Sequence, residues 1–285
     1  MQKYIIDHIT RVYYIKLAAL AFQLTDGYNK KTTHQFRTDT KKLRAFYRLI
    51  SLEAGQAKKL KLPGKLHKMY HHAGTIRDLQ VQIKNVEDYF KKTGIKLHTL
   101  QAMLERRLKH LSEKKGQILP GEYFADQEKK AQLKSPPQLH AETLQQFFRQ
   151  KKEAIRVIIA KARFNPTDLH NIRKNIKDIL YVTGIYTEDI GSSLPMLFRK
   201  NNEMKEMEDL ADELGRYNDT GSILSFLKRN RRAFKDREKQ STLFYYNKLE
   251  QEQKDRWNKL VARFTSMTAT SSPGSHHLEG PLNDQ

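Results

Sequence analysis

Residues 32–48 read TTHQFRTDTKKLRAFYR. Thr32 followed by Gln35 has the form of a capping box, which predicts a helix starting at Thr32. His34, Arg37, Lys41, Arg44 and Arg48 are spaced by 3, 4, 3 and 4, so at 100° per residue they share one stripe. Phe36, Leu43, Phe46 and Ile50 take the opposite side. Such a helix has one dry face and a second face built to present positive charge. For a single helix, a solvated basic surface is a sufficient account.

A second copy argues against that account. Leu169 to Tyr181 reads LHNIRKNIKDILY, and His170, Arg173 and Lys177 repeat the spacing of His34, Arg37 and Lys41. The offsets 170 − 34, 173 − 37 and 177 − 41 are all 136. Asn165-Pro166 supplies an N-cap with Pro at the first helical position, and Ile172, Ile176 and Ile179 form the apolar face. A solvated surface has little reason to repeat His-x-x-Arg-x-x-x-Lys half a chain later. The pair of stripes is the candidate site.

At 285 residues the chain can bury a large core as one big domain or two ordinary ones. Lys and Arg number 53 against 32 acids, a formal charge of +21, and self-repulsion of that size points to a polyanionic partner. With no cysteine there are no disulfides and no thiolate metal sites, which suits a reducing cytoplasm. The N-terminus lacks the pattern of a signal peptide. The most apolar stretch, Leu17 to Leu24, falls far short of the roughly 18 residues that span a bilayer. The expectation is a soluble cytoplasmic protein without a membrane span.

Helical periodicity runs almost throughout, and no strand alternation competes with it. Ile5, Ile9, Val12, Ile15, Ala19 and Phe22 read as the seam of a first helix, ended by Gly27-Tyr28-Asn29. The basic helix runs to about Ala54. A third follows Pro63-Gly64 and closes at Gly94, with Lys65, Lys68 and His72 on one face and Arg77-Asp78 a helical turn later. A leucine-marked fourth ends at Gly116 and Pro120-Gly121. Residues 121–137, ending in Ser135-Pro136-Pro137, read as a linker.

After that stretch the order recurs. Leu144, Phe148, Ile155 and Ile159 mark a long helix, then comes the second basic helix, then a helix from Leu194 to Leu214. A short segment starts at Tyr217, and a final helix carries Leu243, Tyr246, Trp257, Leu260 and Phe264. The tail from Ser266 reads as disordered. Gly74 to Asp78 aligns with Gly215 to Asp219 at an offset of 215 − 74 = 141. The expected architecture is all-α, with two tandem pseudo-symmetric antiparallel four-helix bundles at residues 1–120 and 138–265.

At these residues the sequence resembles the conserved histidine α-helical domain (CHAD) family. The resemblance rests on H-x-F-R-x-x-x-K-K-L-R at His34 to Arg44, G-x-x-R-D at Gly74 to Asp78, L-H-x-x-R-x-x-x-K at Leu169 to Lys177, and the D-L-A-D-E-L-G-x-x-N-D stretch ending at Asp219. It covers about residues 1–265. It implies two pseudo-symmetric helical bundles forming one domain, a shared positive cavity, binding of inorganic polyphosphate, association with polyphosphate granules, and no catalysis. His34, Arg37, Lys41 and Arg44 carry over from the first motif, Arg77 from the R-D motif, and His170, Arg173 and Lys177 from the second copy. That copy departs from the pattern at Asp178, Ile179 and Leu180, with Lys174 as a compensating cation about 60° from Lys177. Family members are often joined to a triphosphatase tunnel domain marked by an E-x-E-x-K strand, and no such motif occurs here.

The residue types suit that ligand. A polyphosphate has no bases to read, so charge, hydrogen-bond donors and groove shape must recognise it. Arg offers planar paired donors and Lys a compact mobile charge. His34 and His170 are expected in first helical turns, where the helix dipole also favours anions. Arg48, Lys65, Lys68 and His72 complete the candidate set. Asp78 and Asp219 are read as structural partners of basic neighbours rather than catalytic acids. His67 and His71 have the spacing of a metal pair, but no Glu follows in the zinc-protease pattern, so they read as a polar face and no metal or cofactor is expected. Nucleic acid is the alternative partner, equally served by the charge but poorly served by stripes carrying few aromatics. The third class, an enzyme acting on phosphoanhydrides, lacks a carboxylate cluster for metal.

Overall fold

The computed structural model describes residues 1–55, 59–114, 118–161, 163–189, 203–234 and 236–269. Among them are nine α-helices: α1 (Lys3–Thr25), α2 (Lys30–Glu53), α3 (Gly64–Thr93), α4 (His98–Ser112), α5 (Gly121–Lys134), α6 (Ala141–Ile159), α7 (Pro166–Gly184), α8 (Glu203–Asn230) and α9 (Asp236–Ala269). A π-helical turn, Ile185–Asp189, prolongs α7. The only β pairing among the described residues is an isolated bridge between Gln2 and Gln138. The fold is all-α.

The two basic helices are started by asparagine in both cases. The Asn29 side chain accepts from the Thr32 amide at 2.8 Å, so α2 begins at Lys30 and the expected Thr32–Gln35 box does not form. Gly27, at φ 127°, makes the turn that lets Asn29 reach this position. At α7 the capping box is complete: the Asn165 side chain accepts from the Asp168 amide, and the Asp168 carboxylate accepts from the Asn165 amide, both at 3.0 Å. Counted from Lys30 and Pro166, His34 and His170 are each the fifth helical residue. Both lie beyond the free amides of the first turn, contrary to expectation, but at equivalent places.

The apolar faces of α2 and α7 are as read. Phe36, Leu43, Phe46, Ile50, Ile172 and Ile179 are fully buried. The seam of α1 is rotated from the expected one. Ile6, Ile9, Tyr13, Tyr14, Leu17, Ala21 and Leu24 are buried, whereas Ile15 and Phe22 are 58% and 75% exposed. The tyrosines explain the shift: Tyr14 and Tyr47 share a hydrogen bond between hydroxyls at 3.1 Å inside the core, so rings with polar tips outcompete isoleucine for the buried face.

Residues 121–134 form α5 rather than a linker. It packs along α1, burying Phe124 and Ala131, with Gln132 donating to the Asp7 carbonyl. α8 continues through Tyr217 to Asn230 without the expected break, and α9 runs to Ala269, past the expected start of the tail at Ser266. In α9, Tyr245 and Leu249 take the buried positions and Leu243 stays 57% exposed. The expected helix start at Leu194 and the tail from residue 270 lie outside the described residues.

Among the described residues three apolar cores hold the helices together, and two of them ignore the boundary between repeats. The largest joins α1, α2, α5 and the start of α3 to α6 and the end of α7. A second joins Leu79, Ile83 and Val86 of α3 and Leu100 and Leu104 of α4 to Ile223, Leu227 and Leu249 of α8 and α9. A third gathers α7, α8 and α9 around Leu214, Leu260 and Phe264. α2 packs directly on α7 and α3 on α8, so the two repeats meet along their basic helices.

Candidate functional site

The site is organised by two arginines that lie across two glycines. The Arg37 guanidinium crosses α3 at Gly74 and Nη1 donates to the Tyr70 carbonyl at 3.3 Å. Arg173 crosses α8 at Gly215 and Nε donates to the Ala211 carbonyl at 3.2 Å. The acceptor is four residues before the glycine in each repeat, so this geometry repeats with the sequence. A Cβ placed on Gly74 would stand 2.1 Å from Arg37 Nη1, and one on Gly215 would stand 3.2 Å from Arg173 Nη2. The glycines of the two motifs therefore keep the helix surface bare where an arginine must lie on it.

Beside Arg173 the stripes of α2 and α7 line a cavity of about 330 Å³. Lys41, Arg44, Arg48, Arg173, Lys174 and Lys177 line it against one carboxylate, Asp178, for a net charge of 6 − 1 = +5 with histidines neutral. His170 lines it as well. Lys41 stands at the centre. Burial, then Arg37, Arg173 and Lys177, push its ammonium down to a pKa of about 8, and Asp78 only partly opposes them. His34 is lowered chiefly by burial, then by Arg77, Lys41, Arg37 and Lys177, so cations of both repeats reach it. Like charges held this close create a positive potential that favours anions.

Asp178 has a different use from the one its place in the motif suggests. Its 5% exposed carboxylate accepts from Arg48 Nη1 at 2.5 Å and Lys151 Nζ at 2.7 Å, tying α2, α6 and α7 together. Arg48 thus reaches the cavity wall already paired. Lys177 meets the exposed Asp212 at 3.5 Å. Asp78 and Asp219 stand near the same cations. Burial raises both carboxyls, and Asp78 raises Asp219 further, while Arg37 lowers Asp78 and Arg173 lowers Asp219.

The structure brings together His34, Arg37, Lys41, Arg44, Arg48, His170, Arg173, Lys174 and Lys177, with Arg77 beside His34 and the two aspartates. It leaves out Lys65, Lys68 and His72. The lysines are exposed away from the cavity, and the His72 ring packs on Tyr28 at 5.5 Å between centroids, near Leu111. The face of α3 that meets the site carries His67, Tyr70, His71, Gly74 and Asp78, roughly 150° round the helix from the expected one. Tyr70 and His71 line the cavity and were not singled out as binding residues. Tyr70 is 8% exposed and lies under both Arg37 and Arg44, with guanidinium carbons 5.1 and 5.4 Å from the ring centroid. Tyr181, pushed up to about 12 by burial, completes the wall. The signal for the α3 face was Gly74 itself: residues three and four before it share its side.

No group of three or more His, Cys, Asp or Glu suited to a metal ion occurs among the described residues. None of their helices is long and apolar enough to cross a membrane.

A family model described as the CHAD domain matches residues 15–227, about three quarters of the sequence. The chain belongs to the CHAD domain family. The match takes in both basic helices and both motif glycines, and leaves out α9. Among solved structures, the CHAD domain of the plant Ricinus communis is similar over 93% of this chain and 92% of that one, with a TM-score of 0.71 and 16% identity. At that identity the likeness speaks for a CHAD fold alone. Comparison with curated proteins gives no match.

Proposed function

We propose that this CHAD domain binds inorganic polyphosphate in the cavity between α2 and α7 and catalyses no reaction there. The observation that carries the reading is Lys41, a crowded ammonium with a pKa of about 8, among six lining cations and one carboxylate already shared by Arg48 and Lys151. A ligand of closely spaced phosphates relieves that repulsion along its whole length. The two arginines fixed over Gly74 and Gly215 present guanidinium donors in set positions, and the lysines supply adaptable charge. Nucleic acid would use the same charge but gains little from the aromatic residues, because Tyr70 is buried beneath two guanidiniums.

The test is competition between long polyphosphate, tripolyphosphate, single-stranded DNA and RNA at one fixed salt concentration. Long polyphosphate is expected to bind tightest, with log affinity falling steeply against log salt. Reversing charge at Arg37 and Lys41, or at Arg173 and Lys177, removes charge-assisted hydrogen bonds of about 1.5–3 kcal/mol each and should weaken binding by orders of magnitude. Reversal at Arg231 and Arg232 removes the same formal charge elsewhere. An equal loss there would mean that net charge alone recruits the ligand.

A further inference from the structure

The cavity does not end at Arg44 and Arg48. Both side chains also line a second cavity of about 620 Å³, nearly twice the 330 Å³ of the first. It opens between the C-terminal half of α2, the connection to α3, and α6. Lys59, Lys61 and His67 supply its remaining basic groups, and no carboxylate lines it among the described residues. Arg44, Lys59 and Lys61 form no ion pair among those residues.

The two lysines are held in place by the residue between them. Leu60 is buried, and its amide donates to Ser51 Oγ at 2.9 Å, which itself donates to the Tyr47 carbonyl at 2.6 Å. The connection is thereby pinned to α2 at one buried residue, with a cation on either side facing the cavity. The rim between the cavities is equally defined. His67 lines the second and His71 the first, with their Nε2 atoms 3.1 Å apart.

We propose that the second cavity is a continuation subsite for the same polyanion. Phosphates beyond those seated between α2 and α7 pass Arg44 and Arg48 and are taken by Lys59 and Lys61. This rests on the polyphosphate reading of the first cavity and adds a consequence to it: the protein discriminates chain length. A segment tethered in the first cavity meets the second at high effective concentration, so even weak contacts there multiply the affinity. A chain too short to span the rim gains nothing.

The experiment is equilibrium binding of long polyphosphate and tripolyphosphate, at one salt concentration, to the unaltered chain and to Lys59→Glu/Lys61→Glu. The variant should lose about tenfold or more in long-chain affinity and change by less than about twofold for tripolyphosphate. Lys59→Gln/Lys61→Gln should fall between, and Arg231→Glu/Arg232→Glu should keep the chain-length ratio of the unaltered protein. Unchanged long-chain affinity overturns the proposal. So does an equal loss for both lengths, or an equal effect of the Arg231/Arg232 control. A nucleoside triphosphate that binds more tightly than tripolyphosphate, and loses that advantage in the lysine variant, also overturns it by placing a base in this cavity. Failure of the unaltered chain to bind either phosphate rejects the first cavity's assignment as well, a result distinct from all of these.

Discussion

Gly74 and Lys41 show how much of the site depends on single atoms. Gly74→Ala improves helix propensity by about 1 kcal/mol, yet its methyl would occupy the place of Arg37 Nη1. The variant should keep its helicity and lose polyphosphate affinity by at least about tenfold in a binding titration. Gly215→Ala, with 3.2 Å to give, should cost less. Lys41 makes binding sensitive to pH. Below about 8 it carries its proton, and above that value the free protein gives it up. An arriving polyanion stabilises the charged form, so binding near pH 8 should take up protons, measured as a dependence of calorimetric heat on the buffer's ionisation enthalpy. Affinity should decline as pH rises through this region, and Lys41→Arg should remove both effects. The stability of the free protein runs the other way. The unfolded chain holds this proton more tightly, so the Lys41 contribution makes the fold more stable as pH climbs from about 8 toward 10.5.

At the scale of elements, the sequence and the fold agree best where spacing and capping reinforce each other. α2 and α7 were legible because a dry face, a polar stripe and a second copy all gave one answer, although the expected cap held only at Asn165 and Asn29 replaced it at α2. α5 was not, because a stretch so rich in Lys, Glu and Gln buries little beyond Phe124 and Ala131, and Pro136-Pro137 after it signals a break. Its packing on α1 is nonetheless substantial. Phe124→Ala should lower stability by about 3–5 kcal/mol in chemical denaturation, whereas a linker residue would cost close to nothing. The face of α3 that meets the cavity was misread for a related reason. Cations at Lys65, Lys68 and His72 mark a stripe, but the helix turns a tyrosine, a histidine and a bare glycine toward the cavity. Charge pattern finds a site only where the charges themselves line it, as they do on α2 and α7.

The whole molecule carries +21, and +5 of it lines one cavity between the basic helices. The repeat that made this legible in the sequence does not divide the protein, since two of the three apolar cores take side chains from both repeats. Cutting the connection between α5 and α6 with a protease should therefore leave two fragments that elute together and still bind polyphosphate, as native mass measurement would show. Fragments that separate would refute the shared cores. The same feature bears on how such a protein could have begun. A chain of half this length, folded as one repeat, would expose the apolar ends of α3 and α4 and half of a cationic stripe. Its most economical partner would be a second copy of itself, related by a two-fold axis. Within a single chain the two basic helices are free to differ. α7 carries Asp178 where α2 carries Lys42, and that carboxylate anchors Arg48 of the other basic helix, an asymmetry that identical subunits could not have expressed.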